Sequence, residues 1–289
     1  MTPTKPLKVA VQGVEGCFHD AAAHDCFASR ELDIKGCDTF ADLFDALDAD
    51  PTMLGLAAFE NTIAGSIQGN YELLRRADLR IVGEHKMRIS HTLCALPGTR
   101  LEDITEVHNH PMALMQCEAW LRRHPRMKMV EDFDTAGSAR HIARNRIAGH
   151  AAVCSRYAAE LYGLQILADG IETVKQNYTR FLVLAHPGAD LPLHEGKVDK
   201  ASVVFTLPHT RGALSKVLAI LAFYDIDLSK IQSAPIVGRC WEYRFYVDLT
   251  FDDPLRYRSA IDAVMPLISD FKLMGEYHGV DEPDQISSI

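Results

Sequence analysis

The chain has no cysteine arrangement that would staple a fold. Its seven cysteines, at 17, 26, 37, 94, 117, 154 and 240, are odd in number, scattered, and contain no C-x-x-C pair. That argues against both a disulfide framework and a zinc ribbon. Excess positive charge is also absent: 30 Lys and Arg stand against 39 Asp and Glu, a net charge of −9. A general nucleic-acid binder leaves a basic footprint, so nucleic acid is not an expected partner. No run of about 18 apolar residues occurs, and the opening Met1-Thr2-Pro3-Thr4-Lys5-Pro6 has no apolar signal core. Neither a membrane span nor export is expected, and the expected compartment is the reducing cytoplasm. Repeats and low-complexity tracts are missing as well. Hydrophobic residues make up 47% and charged residues 24%, a balance that supports a large core without staples. A length of 289 residues suggests two domains.

From residue 7 to about 186, short apolar runs alternate with helical patterns. Strands are predicted at 7–11 and 54–59, a strand pair over 81–96 and a strand near Val107. Helices are predicted at 18–27, 40–47 and 66–77. Alternation of this kind predicts an α/β domain with a mostly parallel sheet, in which ligands sit beyond the carboxyl ends of strands. Residues 187–200 lapse into Pro, Gly and charge and read as a linker. Beyond them, 201–279 reads strand, helix, strand, strand, helix, strand, the ferredoxin-like order. The last ten residues read as a loose tail.

Four segments carry candidate chemistry. Gly13-Val14-Glu15-Gly16-Cys17-Phe18 joins a strand to a helix, where glycines admit a ligand and a helix start favours anions; a plain tight turn is the commoner explanation. Glu60-Asn61-Thr62, directly after a strand, offers an acceptor, an amide and a hydroxyl, or simply a helix cap. His108-Asn109-His110-Pro111 precedes a helix whose apolar stripe runs through Ala113, Leu114, Cys117, Trp120 and Leu121. Asn109 and Gln116 flank that stripe. His108 and His110 alternate as on a strand, but no third ligand at a recognisable spacing accompanies them, so no metal is expected. Asn177-Tyr178-Thr179-Arg180-Phe181 opens an apolar run and combines a hydroxyl with a guanidinium suited to carboxylates.

In this order the segments resemble the prephenate dehydratase family. Gly13–Phe18 resembles its G-P-x-G-T-F opening, Glu60-Asn61-Thr62-x-x-Gly65 its E-N-[ST]-x-x-G motif, and His110-Pro111 with Gln116-Cys117 its S-H-P-Q…Q-C motif. Asp134-Thr135-Ala136 is similar to S-T-A, and Tyr162-Gly163-Leu164-x-Ile166-Leu167 followed by Asn177-x-Thr179-Arg180-Phe181 to the signature of the catalytic strand. Gly212-Ala213-Leu214 and Gln232-Ser233-Ala234-Pro235 resemble the G-A-L and E-S-R-P motifs of a regulatory ACT domain. Departures are Cys17 for Thr, Asn109 for Ser, Met112 for Gln, and Gln232 and Ala234 within E-S-R-P.

The resemblance implies an α/β, two-lobed, type-2 periplasmic-binding-protein-like catalytic domain over 7–186. Lobe one would span about 7–84 and 168–186, and lobe two 85–167, with crossings near Glu84 and Ala168. It also implies a ferredoxin-like ACT domain over 201–279. The implied reaction converts prephenate to phenylpyruvate with loss of water and carbon dioxide, and needs no cofactor. The implied catalytic residues are Thr179, Asn61 and Gln116. Arg180 would clamp a carboxylate, with Phe181, Glu60, Thr62, Asn109, Thr135 and Ala136 binding substrate. L-phenylalanine would bind at Gly212, Ala213, Leu214, Gln232, Ser233, Ala234 and Pro235, where two such domains meet in a homodimer or homotetramer. Because the first predicted strand begins almost at once, a fused chorismate mutase segment is not expected. The alternatives are arogenate dehydratase and a non-catalytic two-lobed amino-acid sensor.

Overall fold

A computed structural model describes residues 5–132, 135–189, 197–236, 238–239 and 241–280. Asp134, most of the predicted linker and the predicted tail lie outside these residues. The first half alternates strand and helix as β1 (Leu7–Gln12), α1 (Phe18–Cys26), β2 (Leu32–Cys37), α2 (Phe40–Ala49), β3 (Leu54–Asn61), β4 (Gly65–Ser66), α3 (Gln68–Arg76) and β5 (Arg80–Arg88). Next come β6 (Thr92–Ala95), β7 (Glu106–Asn109), α4 (Pro111–Gln116), α5 (Glu118–Leu121), β8 (Lys128–Glu131), α6 (Thr135–Asn145), β9 (His150–Cys154), α7 (Arg156–Leu161) and β10 (Gln165–Ala168). β11 (Tyr178–Ala185) then returns to the first sheet. The chain ends in β12 (Lys200–Thr206), α8 (Ala213–Phe223), β13 (Asp227–Pro235), β14 (Tyr243–Thr250), α9 (Pro254–Val264) and β15 (Ser269–Tyr277).

Local chemistry sets the helix starts. Thr39 and Asp42 form a reciprocal capping box on α2, Ser155 caps α7, and Pro254 opens α9 behind the Asp253 cap. The predicted helix after His110 is interrupted at Cys117 into α4 and α5. β2, absent from the predicted strands, lies at the sheet edge with mostly exposed or half-exposed residues, so no apolar alternation marks it.

Three sheets result. The first has the order β2-β1-β3-β11-β5, the second β10-β6-β9-β7-β8, and the third β13-β14-β12-β15. The predicted mostly parallel sheet is not what forms. β1 pairs parallel with β2 and β3, but β11 runs antiparallel to both β3 and β5. The second sheet is likewise half antiparallel. A strand returning from the second sheet enters the first from the opposite direction, and this mixes the two. The first crossing between these sheets falls at 89–91, not near Glu84, which lies inside β5. The return lies between Ala168 and Tyr178. The third sheet has ferredoxin-like strand order, with α8 and α9 packed on one face around Val203, Phe205, Val247 and Leu249. Its other face joins the first lobe: Val204, Tyr246, Met274 and Tyr277 belong to the same apolar cluster as Leu43, Phe59, Leu74 and Ile81. Gly275 marks the closest approach, because a Cβ there would lie 2.2 Å from the Ile81 carbonyl oxygen. Among the described residues no helix is long and apolar enough to cross a membrane.

Candidate active site

β3 and β11 pair so that Asn61 stands opposite Thr179 and Glu60 opposite Arg180. The Asn61 amide donates to Thr179 Oγ1 at 3.0 Å, to Asn177 Oδ1 at 2.7 Å and to the Tyr178 carbonyl at 3.2 Å. Asn61 Oδ1 accepts the backbone N–H groups of Ile63 and Ala64, which fixes the amide's orientation. Asn177, fully buried, donates to Gln116 Oε1 at 3.4 Å. That oxygen also lies 2.9 Å from His91 Nε2. Burial lowers the His91 pKa, opposed by its bond to Gln116. The neutral ring therefore donates from Nε2 and leaves Nδ1, buried and without a partner, as an acceptor.

These contacts bring Thr179 and Asn61 of the first lobe together with Gln116 of the second. The crossing segments lace them together. Glu172, almost wholly buried, accepts the His91 N–H at 3.0 Å and pairs with Arg88 at 3.2 Å. The Thr173 N–H reaches the Gln116 carbonyl at 2.7 Å. Two donors stay free among the described residues: the Thr179 hydroxyl, whose oxygen already accepts from Asn61, and the Gln116 side-chain NH₂. Asn61, Thr62 and Thr179 line a cavity of 290 Å³, with Glu60, Lys86 and Arg180 also on its wall. Gln116 lines a second, of 350 Å³, with Ile63 and Val174.

Other expected site residues are directed elsewhere. Successive residues on a strand face opposite ways, so the Arg180 guanidinium takes a different direction from the Thr179 hydroxyl, although both residues border the same cavity. It is directed at the C-terminal unit, with Nε 2.6 Å from Glu84, Nη1 2.8 Å from Glu60 and 2.5 Å from Asp248, and Nη2 2.9 Å from the Tyr277 hydroxyl. Burial opposes the charge, but Asp248, Tyr277 and Glu84 outweigh it and hold Arg180 firmly protonated. Lys200 completes the Glu84 pair at 2.9 Å, and Lys230 binds Glu60 and Ser66. Burial opposes ionisation of Glu60, yet Lys230 and Arg180 pull its pKa below normal. Arg180 and Glu60 are thus held chiefly by each other and by the C-terminal unit, while both still line the Thr179 cavity. Phe181 is core, in edge contact with His19 at 5.2 Å. Asn109 is fully buried and spends its side chain on the Val153 carbonyl at 2.6 Å and the His110 N–H at 2.6 Å.

Thr62 stays at the margin, bonded to the Gln176 carbonyl and the Tyr178 N–H at 3.0 Å each. Thr135 heads α6 without a hydrogen bond to the cluster among the described residues, and Ala136 is core beside Cys17. The Gly13–Phe18 turn needs Gly13, at φ 108° with Cys17 Sγ 2.9 Å from any Cβ. One of its amides, Gly16 N–H, is already taken by Asp20 at 2.6 Å. His91 and Glu172 were not singled out from sequence. Their only signal is that each is a polar residue between two strands.

Two mixed α/β lobes meeting at a hydroxyl–amide cluster, with a ferredoxin-like unit docked on one lobe, define a bilobal cleft enzyme. The prephenate dehydratase family model matches residues 9–189, and the chain belongs to that family. Membership makes it a dehydratase, a lyase of phenylalanine biosynthesis. It is 40% identical over 293 residues to arogenate dehydratase 5, chloroplastic, of Arabidopsis thaliana, covering 94% of this chain and 67% of that protein. The chain thus spans about two-thirds of that relative. Two solved structures are similar throughout. The prephenate dehydratase of Arthrobacter aurescens in complex with L-Phe has a TM-score of 0.81 at 27% identity, over 94% of this chain and 89% of that one. A protein described as a novel type of quorum-quenching acylase has a TM-score of 0.83 at 30% identity, over 94% and 98%.

Proposed function

We propose that the substrate is prephenate and that Thr179 donates a hydrogen bond to its departing hydroxyl as carbon dioxide leaves from the ring. The observation that carries this is the Thr179 hydroxyl itself: its oxygen accepts from Asn61 and borders the cavity, so its proton remains for an acceptor the substrate supplies. Aromatisation drives the elimination, so the protein has only to orient the dianion and assist the leaving group. Gln116 supplies the second free donor. Lys86 and Arg180, register partners on β5 and β11, put positive charge on the cavity wall for the substrate's carboxylates. Thr179→Ala is expected to lower kcat about 10²–10⁴-fold with little change in KM, because the bond strengthens only in the transition state. Equal changes in both constants, followed by phenylpyruvate absorbance, would remove Thr179 from this role.

Arogenate is the second reading, favoured by the 40% identity to an arogenate dehydratase. Comparing kcat/KM on the two substrates decides between them. Acyl transfer through Thr179 is poorly equipped, because a nucleophilic hydroxyl needs an adjacent base and the side chain bonded to Thr179 is the Asn61 amide.

Regulation by L-phenylalanine through an ACT domain is supported by the L-Phe complex of the A. aurescens protein. It is also supported by Gly212, at φ 75° before α8, and by the register that brings 206, 244 and 234 to one end of the third sheet. Gly212–Leu214 and Gln232–Pro235 flank that end. The Arg180 cluster then offers a route to Thr179, its chain neighbour, for a coupling of about 1–3 kcal/mol. If saturating L-phenylalanine alters neither turnover nor thermal midpoint, that regulation is absent. Edge strand β13 and the exposed Phe223 and Leu255 support a homodimer or homotetramer, which sedimentation would reveal. A cytoplasmic location fits Cys94 and Cys154, which share a thiol–thiol hydrogen bond at 3.1 Å.

A further inference from the structure

The second lobe carries a side-chain cluster with no part in the dehydratase reading. Glu106 and His108 alternate on β7 and so share a face, and His150 on β9 is the Cα partner of Glu106. His108 Nε2 lies 3.0 Å from His150 Nδ1 and 3.4 Å from Glu106 Oε2, and His150 Nδ1 lies 3.8 Å from that oxygen. Zinc ligands at about 2.0–2.2 Å in a tetrahedron stand about 3.3–3.5 Å from one another, so three donor atoms already outline one face of such a site. Lys128 engages the other Glu106 oxygen at 3.5 Å, leaving Oε2 for a metal. The side chains are 17%, 29% and 28% exposed for His108, Glu106 and His150, which leaves room for a water in the fourth position.

We propose that Glu106 Oε2, His108 Nε2 and His150 Nδ1 bind a zinc-class divalent cation, with water completing the tetrahedron. Two imidazoles and a carboxylate are a donor set of the kind zinc takes. The competing explanation is an imidazole–imidazole hydrogen bond beside a carboxylate, in which a proton occupies the place of the metal. A bound ion would clamp β7 to β9 just before Asn109 leads into α4, the helix that carries Gln116. The site shares no residue with the Thr179 cluster, so its failure and failure of the dehydratase reading are separate results.

The test uses tag-free full-length chain, stripped with chelator and titrated with Co²⁺. The expected result is the intense visible absorption of tetrahedral cobalt, saturating at one equivalent and displaced by Zn²⁺. His108→Ala and His150→Ala should each weaken binding about 100-fold or more, by the scale of ligand-shell losses, with unchanged circular dichroism. His110→Ala should leave binding unaltered, because that ring points to the start of α4, where Nδ1 accepts the Met112 N–H at 3.3 Å. A featureless cobalt titration of the unmutated protein overturns the site even if a variant fails to fold. Binding that survives in His108→Ala/His150→Ala overturns it too.

Discussion

The two faces of β11 do different work one residue apart. On one, Thr179 stands in a chain of neutral amides with its proton unspent. On the other, Arg180 is buried among Glu60, Glu84, Asp248 and Tyr277, which take four of its five N–H donors. The first face is satisfied just short of completion, which is what a group that must meet a substrate requires. The second is paired with carboxylates on several sides, which is what a buried charge requires. A hydroxyl and a guanidinium side by side in sequence therefore do not share one task. The strand separates them into a reacting group and an anchor for the C-terminal unit.

This contrast breaks most sharply at Arg180. Arg180→Met leaves buried Asp248 without its cation and takes one of two cations from Glu84 and from Glu60, and a loss of about 3–5 kcal/mol is expected, measured by denaturant unfolding. Thr179→Ala should shift stability by no more than about 1 kcal/mol, the net worth of a hydrogen bond. If Arg180→Met instead unfolds like the parent but loses substrate affinity, the anchor reading is wrong. A smaller effect is expected at the docking seam. Gly275→Ala places a methyl against the Ile81 carbonyl, so about 1–3 kcal/mol of overpacking is predicted. Limited proteolysis should find the third sheet released before the first two.

The mildest test lies under the Thr179 face, where burial pushes the His19 pKa down to about 4. Its Nε2 accepts the Ala58 N–H at 3.2 Å, a bond that only the neutral ring makes. The unfolded chain takes up that proton near pH 6.5 and the folded one only near 4, so stability is full above the unfolded value and falls as the pH drops. About 2 kcal/mol should be gone by about pH 5. His19→Gln, which keeps an acceptor without a titrating ring, should flatten that slope. An unchanged slope would mean that other groups carry the acid sensitivity.

Much of the fold was legible. β1, β3, α1, α2 and the six elements of the C-terminal unit announce themselves by apolar period and by caps such as Thr39 and Pro254. β2 escaped because an edge strand with little burial keeps no alternation. The helix expected through 111–121 is interrupted at Cys117 because the stripe repeats across a backbone break that periodicity does not register. Of the site, Asn61, Gln116 and Thr179 were legible as polar residues at strand and helix ends. The opposite facing of Arg180 was also legible in principle, from the period of two alone. Asn109 and Phe181 look like site residues in a motif, and only packing shows them to be structural.

By itself the amino-acid order determined the elements, their succession and the residue types that could do chemistry, because those depend on neighbours within a turn or a strand. Which groups meet was decided by tertiary structure. Asn61 reaches Thr179 across 118 positions, Gln116 reaches Asn177 across 61, and His108 finds His150 across 42. Such encounters depend on strand register and on how the sheets cross. Hydrogen bonds and ion pairs act over a few ångströms of space, and separation along the chain carries no information about that distance.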